Sequence, residues 1–363
     1  QMYRKLDGYI IRKFLGTFFA TIALIVIIII VFDISEKIGV FVEKSVPLKG
    51  IITEYYVNFI PFLVNMFSFL FIFISVIYFT SRMAQNSEII AILSSGINFS
   101  RFLVPYIISA VLIGVFNLYL ANFLIPDMTK DRLAFERTYM RKHHLYSGSD
   151  IHMRYDDSTY FYVASFHQSN QSGTRFCRET IKDRQLIDKF NAATIRYDSA
   201  QNIWIATDYV KRTLLPADEG EIVETGPYIE IHLPLKPLDF AKDYLKVEEM
   251  NYRELNQIIA QERMRGSSYV KFFEFERWQR FMQPFAAVIL TLIGVSLSIR
   301  KSRKGGMGLN LAAGITLAFT FILFMQFSKV FATVGNFPVW LAAWMPLILY
   351  GLIAAYLLKK APK

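Results

Sequence analysis

Cysteine is almost absent: Cys177 stands alone in 363 residues. A single thiol excludes an intrachain disulfide framework, so any folded part must be held by its own packing. No G-x-x-x-x-G-K-[ST] motif occurs, which excludes a P-loop cradle for ATP phosphates. Gly305-Gly306-Met307-Gly308 reads instead as a loop opening an apolar helix. Histidine is scarce, and its one dense pair, His143-His144, has no third ligand at metal spacing. No metal and no cofactor are therefore expected. No serine, cysteine or carboxylate stands in a recognisable catalytic arrangement, so the chain does not read as an enzyme. Acids are missing from the long apolar runs, which argues against a proton-coupled carrier, since such carriers depend on intramembrane ionisable groups. There is also no internal repeat.

What the chain has in excess is apolar residues, 53% of the total, gathered into six runs. The first is 14–32, the second lies between Glu54 and Arg82, and the third between Arg101 and Asp127. The fourth lies between Arg280 and Arg300, the fifth between Lys304 and Lys329, and the sixth is 339–358, set off by the turn Gly335-Asn336-Phe337-Pro338. Crossing about 30 Å of hydrocarbon takes roughly 20 apolar residues in a helix, and each run meets that. Helices are required because backbone amides in lipid must pair within their own segment. The runs thus predict an α-helical integral membrane protein with six transmembrane helices, three on either side of an inserted polar domain. The first run is too long for a signal core, and Asp33-Ile34-Ser35-Glu36 follows it in place of a small-residue cleavage site. Residues 3–13 are basic and amphipathic, and are expected to lie at the interface before the first span.

Lysine and arginine beside the spans set the expected orientation. Arg4, Lys5, Arg12, Lys13, Arg82, Arg101, Arg300, Lys301, Arg303, Lys304, Lys359, Lys360 and Lys363 fall on one side. The short loop opposite offers Lys37, Lys44 and Lys49, offset by Glu36, Glu43 and Glu54. The rule places both termini in the cytoplasm and the large polar domain outside. The net charge of +10 reflects this bias and attraction to anionic head groups, not a nucleic-acid interface.

The expected boundaries are residues 1–125 for the interfacial segment and spans one to three, 126–276 for the outer domain, and 277–363 for spans four to six. Residues 127–142 have helical spacing and would prolong span three. From Ile151 the pattern turns to short strands at 160–163, 194–197, 203–206 and 228–231. Turns are expected at 156–157, 170–173, 198–202 and 218–220. Such spacing suggests a β-sandwich or β-jelly-roll-like sheet. A helix then begins at Asn251, a candidate N-cap with Glu254 three residues on, and breaks near Gly266. Asn58, Pro61 and Asn65 are positioned to kink span two.

The loop after span two reads Ser87-Glu88-Ile89-Ile90-Ala91-Ile92-Leu93-Ser94-Ser95-Gly96-Ile97. Ser87 is a candidate cap and Gly96 a candidate stop for a short helix. Its apolar face and its one acid, in the turn where the dipole favours negative charge, suit docking into a groove on a soluble partner. An ordinary amphipathic loop helix would look similar.

Here the chain resembles a known family, the LptF and LptG permeases of the lipopolysaccharide-export ABC transporter. The resemblance rests on Leu6-Asp7-Gly8-Tyr9-Ile10, Arg82-Met83-Ala84-Gln85-Asn86-Ser87-Glu88 with Ala91 and Ser95-Gly96, Gln283-Pro284-Phe285, Gly306-Met307-Gly308 and Gly335-Asn336-Phe337-Pro338. The three-domain-three layout matches as well. Gly8 stands where a basic residue is expected. The loop after span four looks more like LptG than LptF.

The resemblance implies a permease that extracts lipopolysaccharide from the inner membrane with a second permease of the same family and a cytoplasmic ATPase dimer. The lipid would pass to a periplasmic bridge through a single-span β-domain protein and a periplasmic bridge protein. It implies that Glu88, with Ile89, Ala91, Ile92 and Gly96, forms the helix that docks on the ATPase. It also implies that Lys37 and Lys44 meet lipid A phosphates. Lysine suits a phosphate as a point charge, although snorkelling lysines that anchor a helix end read the same way. Lys130, Arg132 and Arg137 extend this basic rim or belong to a solvated helix face. A secondary carrier and a membrane-anchored periplasmic binding or assembly protein are the alternative classes. The first would show intramembrane charges; the second would need neither a docking helix nor a basic rim.

Overall fold

In the computed structural model the described residues are 2–140, 148–182, 185–215, 220–240, 244–264, 266–267, 269–299, 306–335 and 337–360. They fall into two compact units. One comprises Gln1–Arg141, Val247–Leu255 and Lys271–Lys363; the other comprises Lys142–Lys246 and Asn256–Val270.

The first unit is helical. Helix α1 (Met2–Glu43) is unbroken, so the basic amphipathic segment forms its first turns and not a separate element. At 1.5 Å per residue it runs about 63 Å, roughly twice the thickness of a hydrocarbon core. A short turn α2 (Leu48–Gly50) and a π-helical stretch (Ile51–Tyr56) lead to α3 (Val57–Met66) and α4 (Ser68–Gln85). Pro61 lies inside α3, but the helix ends two turns later at Phe67, where the backbone leaves helical geometry (φ −98°, ψ 10°). A proline removes one intrahelical donor, and Asn58 Nδ2 bonds the Glu54 carbonyl at 2.8 Å nearby.

Helix α5 (Glu88–Ser94) precedes α6 (Phe99–Tyr119), which continues through a π-helical stretch (Leu120–Leu124) into α7 (Ile125–Tyr139). After the strands and the short helix α8 (Pro237–Phe240), α9 (Tyr252–Met264) opens on a complete capping box. Asn251 Oδ1 accepts from the amides of Arg253 and Glu254 at 3.0 Å each, and Glu254 Oε2 accepts from the Asn251 amide at 2.8 Å. Gly266, at φ +66°, follows its end as expected. Helix α8 and the part of α9 from Asn256 on belong to the second unit, and helices α10 (Val270–Ser298), α11 (Gly306–Thr333) and α12 (Val339–Lys360) complete the first. Among the described residues, six helices are long and apolar enough to cross a membrane.

The bundle core is built of α4 side chains such as Phe73, Val76 and Ile77, with Phe14, Tyr106, Leu290 and Phe321 around them. Between α6 and α10 two backbones meet closely: a Cβ added to Gly114 would lie 2.4 Å from Pro284 Cα. Substituting Gly114 by alanine is therefore expected to force the helices apart and destabilise the bundle by about 1–3 kcal/mol. Thermal unfolding of the purified protein in detergent measures it; an unchanged midpoint would show that the helices yield freely there. Around this crossing Gln283 Nε2 donates to Asn65 Oδ1 at 3.1 Å, and Asn65 Nδ2 donates to the Asn117 carbonyl at 3.1 Å. Asn65 thus ties span two to its neighbours.

The second unit is a six-stranded antiparallel sheet in the order β1-β2-β3-β4-β5-β6. The strands are Gly148–Arg154, Thr159–His167, Ser172–Lys182, Gln185–Asp198, Ile203–Leu214 and Glu221–Ile231. Each pairs with its sequence neighbour and the sheet does not close on itself. One face buries Phe161, Val163, Phe176, Phe190, Ile195 and Trp204, with Leu235 and Phe240 packed against it. Trp204 Nε1 donates to the Leu235 carbonyl at 2.9 Å, satisfying the indole inside that core. Asp156 makes the first turn by accepting the amides of Ser158 and Thr159, both at 2.7 Å. The third strand, Ser-Gly-Thr-Arg-Phe-Cys-Arg-Glu-Thr-Ile-Lys, carries charges on both faces. Glu179 stands directly opposite Lys189 and bonds it at 2.7 Å.

Candidate functional site

At the end of α1 that carries Glu43, α1 and α7 bring charged side chains onto an aromatic cluster built largely by the π-helical stretch Ile51–Tyr56 and α3. Phe41, Tyr55, Tyr56 and Phe135 are buried together, with Phe59 packed against them. Lys37 Nζ bonds Asp33 Oδ1, one helical turn earlier, at 2.5 Å, and also bonds the Tyr55 hydroxyl. Its counterion is thus Asp33 and not the neighbouring Glu36. Tyr56 donates to the other Asp33 oxygen at 2.9 Å. Lys37 Nζ also lies 4.6 Å from the Tyr55 ring centre and 5.6 Å from that of Phe59.

Arg132 of α7 reaches the same ring from another element. Its guanidinium lies 5.1 Å from the Phe59 ring centre and 5.0 Å from that of Phe62, with Glu136 at 3.6 Å. Only 8% of Arg132 is exposed. That burial excludes the solvated-face alternative for this residue. Among the described residues its Nε has no hydrogen-bond partner. Arginine tolerates such a place because its guanidinium is flat, weakly hydrated and stacks on aromatic faces.

Two of the five cations read from the sequence, Lys37 and Arg132, therefore converge on Phe59. The other three stand with carboxylates elsewhere in the unit: Lys44 with Glu43 at 3.7 Å, Lys130 with Glu254 at 2.9 Å and Asp127 at 3.4 Å, and Arg137 with Glu249 at 3.5 Å. The aromatic platform and the Asp33 counterion were not foreseen. Asp33, at the close of an apolar run, and the string Tyr55-Tyr56-x-x-Phe59 were the signals available.

Toward the other end of α1, helix α5 presents a mixed face. Ile89 is 1% exposed and belongs to the bundle core, and Ile92 packs partly against that core. Ile90, Ala91, Ser94, Ser95 and Gly96 are exposed. The apolar face therefore mostly serves the chain's own core, and the outward face is smaller and more polar than the sequence suggested. Ser87 occupies the cap position in a left-handed conformation (φ 60°), and its hydroxyl does not cap the helix amides. Gly96 ends the helix at φ +86°, a conformation that costs a residue without Cβ little.

Glu88 is held on both oxygens. Oε2 accepts from the Tyr9 hydroxyl at 2.7 Å, Oε1 accepts from Asn86 Nδ2 at 3.1 Å, and Lys13 Nζ lies 3.9 Å away. Burial alone would raise its pKa. The bonds from Tyr9 and Asn86, with the charges of Lys13 and Arg82, outweigh that and hold the pKa below the usual glutamate value. A carboxylate whose pKa is lowered by folding stabilises the fold above its unfolded pKa and loses that contribution as pH falls through the folded value. Protection of the α5 amides against hydrogen exchange, relative to the intrinsic rate at each pH, is therefore expected to be higher at pH 7 than near pH 4. Equal protection at both values would show that the tie adds nothing. His143, His144 and the loop 300–305 lie outside the described residues.

Six helices able to span a membrane, with an antiparallel sheet inserted between the third and the fourth, define a polytopic membrane protein. The family model for the lipopolysaccharide export system permease LptF/LptG matches residues 8–360. The chain belongs to that family and is a multi-pass protein of the inner membrane. A comparison with curated proteins finds no match. The family is one of transport permeases and not of catalytic enzymes, and its cargo system is lipopolysaccharide export.

Proposed function

We propose that this chain is one of two related permeases in an ABC transporter that extracts lipopolysaccharide from the inner membrane. A separate cytoplasmic ATPase dimer, docked beneath α5, supplies the energy. With both termini cytoplasmic, the cluster around Lys37 and Arg132 faces the periplasmic side, where lipid A phosphates would lie. The observation that carries this reading is the convergence of those two cations on Phe59 in a chain whose family match spans nearly its full length. An anionic phosphate can be recognised there by one point charge and one planar fork. The sheet unit then receives the lipid and hands it, through edge pairing with a single-span β-domain protein and a periplasmic bridge protein, toward the outer membrane. In support, the sheet carries an open groove of about 980 Å³ lined by Phe161, Phe176 and Ala192 together with Arg154 and Lys189. Of the two permease types, LptG is the one we assign.

Affinity purification of the tagged chain in mild detergent, with mass spectrometry of proteins and lipid, tests this reading. Recovery of a second six-span permease, a soluble ATPase and lipopolysaccharide is expected. Recovery of the chain alone, free of lipid, would move the assignment to a carrier or a binding protein.

A further inference from the structure

The loop between α4 and α6 is fastened to α1 at both of its ends. At its start Glu88 accepts from the Tyr9 hydroxyl at 2.7 Å, with Lys13 Nζ 3.9 Å away and 4.7 Å above the Tyr9 ring. At its far end Arg101, in the first turn of α6, grips Asp7 with both terminal nitrogens, at 2.9 and 2.5 Å. Asp7, Tyr9 and Lys13 all lie on the first turns of α1, and Ile10 and Phe14 beside them are buried in the bundle. That stretch of α1 is therefore packed against the bundle as well as bonded to the loop.

Each carboxylate oxygen can accept two hydrogen bonds, so the bonds from Tyr9 and Asn86 leave Glu88 room for a donor from outside. They do restrict where its carboxylate points. Tyrosine restricts it cheaply, because its ring has few rotatable bonds to order. The same α1 carries no proline, and about 42 Å further along its axis, at 1.5 Å per residue, stands Lys37.

We propose that Tyr9 is a positioning residue for Glu88: it sets the direction of the docking carboxylate and passes displacement of α5 into α1, the helix that bears Lys37. The inference rests on the docking of α5 to an ATPase given above. It makes the first turns of α1 part of the docking element, with Asp7–Arg101 fixing the opposite end of the loop so that α5 moves only together with α1.

The test uses the full transporter reconstituted in vesicles, reading lipopolysaccharide released per ATP hydrolysed, with complex yield and ATPase rate as separate readouts. Tyr9→Phe, Glu88→Gln and the double variant form a cycle. Tyr9→Phe keeps the ring beneath Lys13 and removes only the hydroxyl. The expected result is a fall of about fivefold in lipid per ATP, from the loss of one charge-assisted hydrogen bond at a half-exposed site. Complex yield should be unchanged, and the double variant no worse than Glu88→Gln alone. A normal ratio in Tyr9→Phe beside a lowered one in Glu88→Gln overturns the role of Tyr9 and leaves the docking reading standing. Losses that multiply in the double variant overturn it too. A normal ratio in Glu88→Gln removes the docking reading, and this inference with it. Should Tyr9→Phe assemble poorly, Tyr9→His restores a ring donor. Recovery of both yield and ratio then supports positioning, and recovery of yield alone overturns it.

Discussion

Replacing Lys37 by alanine is expected to weaken lipopolysaccharide binding by about tenfold or more, since a hydrogen bond from a charged group contributes about 1.5–3 kcal/mol. The loss has a second component. Lys37 neutralises Asp33, which also accepts from Tyr56, so the alanine variant leaves a carboxylate among aromatic rings without its cation. The variant therefore loses both a cation for phosphate and the counterion of a nearby acid. Pairing Lys37→Ala with Asp33→Asn separates the two effects. If the pair restores thermal stability but not lipid binding, the lysine acts on phosphate; if it restores both, Lys37 serves only to hold Asp33. Arg132→Lys is expected to be nearly as harmful as Arg132→Ala, because an ammonium cannot reproduce the flat stack on Phe59 and Phe62. Photo-cross-linking to lipid or binding measured in nanodiscs reads all of these.

Glu88→Ala is expected to have the second large effect, on coupling and not on lipid binding. It removes the acceptor for Tyr9 and Asn86 and the partner of Lys13 in one step. A charge-assisted hydrogen bond left unmade costs about 1.5–3 kcal/mol, so co-purification of the ATPase or lipid-stimulated ATP hydrolysis should fall about tenfold. Lipid binding by the permease pair should persist. Wild-type export by that variant in cells would exclude Glu88 from coupling. Loss of lipid binding together with coupling would mean that the substitution damages the bundle.

The membrane architecture was legible because its cause is local. Six apolar runs of sufficient length must be helices in lipid, whatever surrounds them. The capping box at Asn251 was legible for the same reason: donor and acceptor lie three residues apart. The sheet was read in part. The strands around 160–163, 194–197, 203–206 and 228–231 carry β-branched and aromatic residues that announce themselves. The third strand, with charges on both faces, is held by cross-strand pairs such as Glu179–Lys189 that no single stretch displays. The cap assigned to Ser87 failed because the turn is organised otherwise: Asn86 reaches forward to Glu88, and Ser87 takes a left-handed conformation.

For the candidate site the division follows distance along the chain. Lys37 and Arg132 were identified as cations by their place beside the spans, and Glu88 as the one acid of a short apolar loop helix. Most of their environments were not visible, because Phe59 and Tyr9 are brought to them by the packing of α3 on α7 and of α1 on α4 and α6; Asp33, one turn from Lys37 on the same helix, is the local exception. Periodicity in an all-apolar helix also says little about which face turns inward, which is why Ile89 read as a docking residue and lies in the core. The sequence by itself determined the six spans, their expected orientation, the inserted strand-rich domain and the family, since each depends on runs, charges and motifs within short windows. Only the tertiary structure decided which cations converge on one ring and which side chain aims Glu88, because those contacts join residues far apart in the chain, whereas Asp33 lies one helical turn from Lys37 and was within local reach.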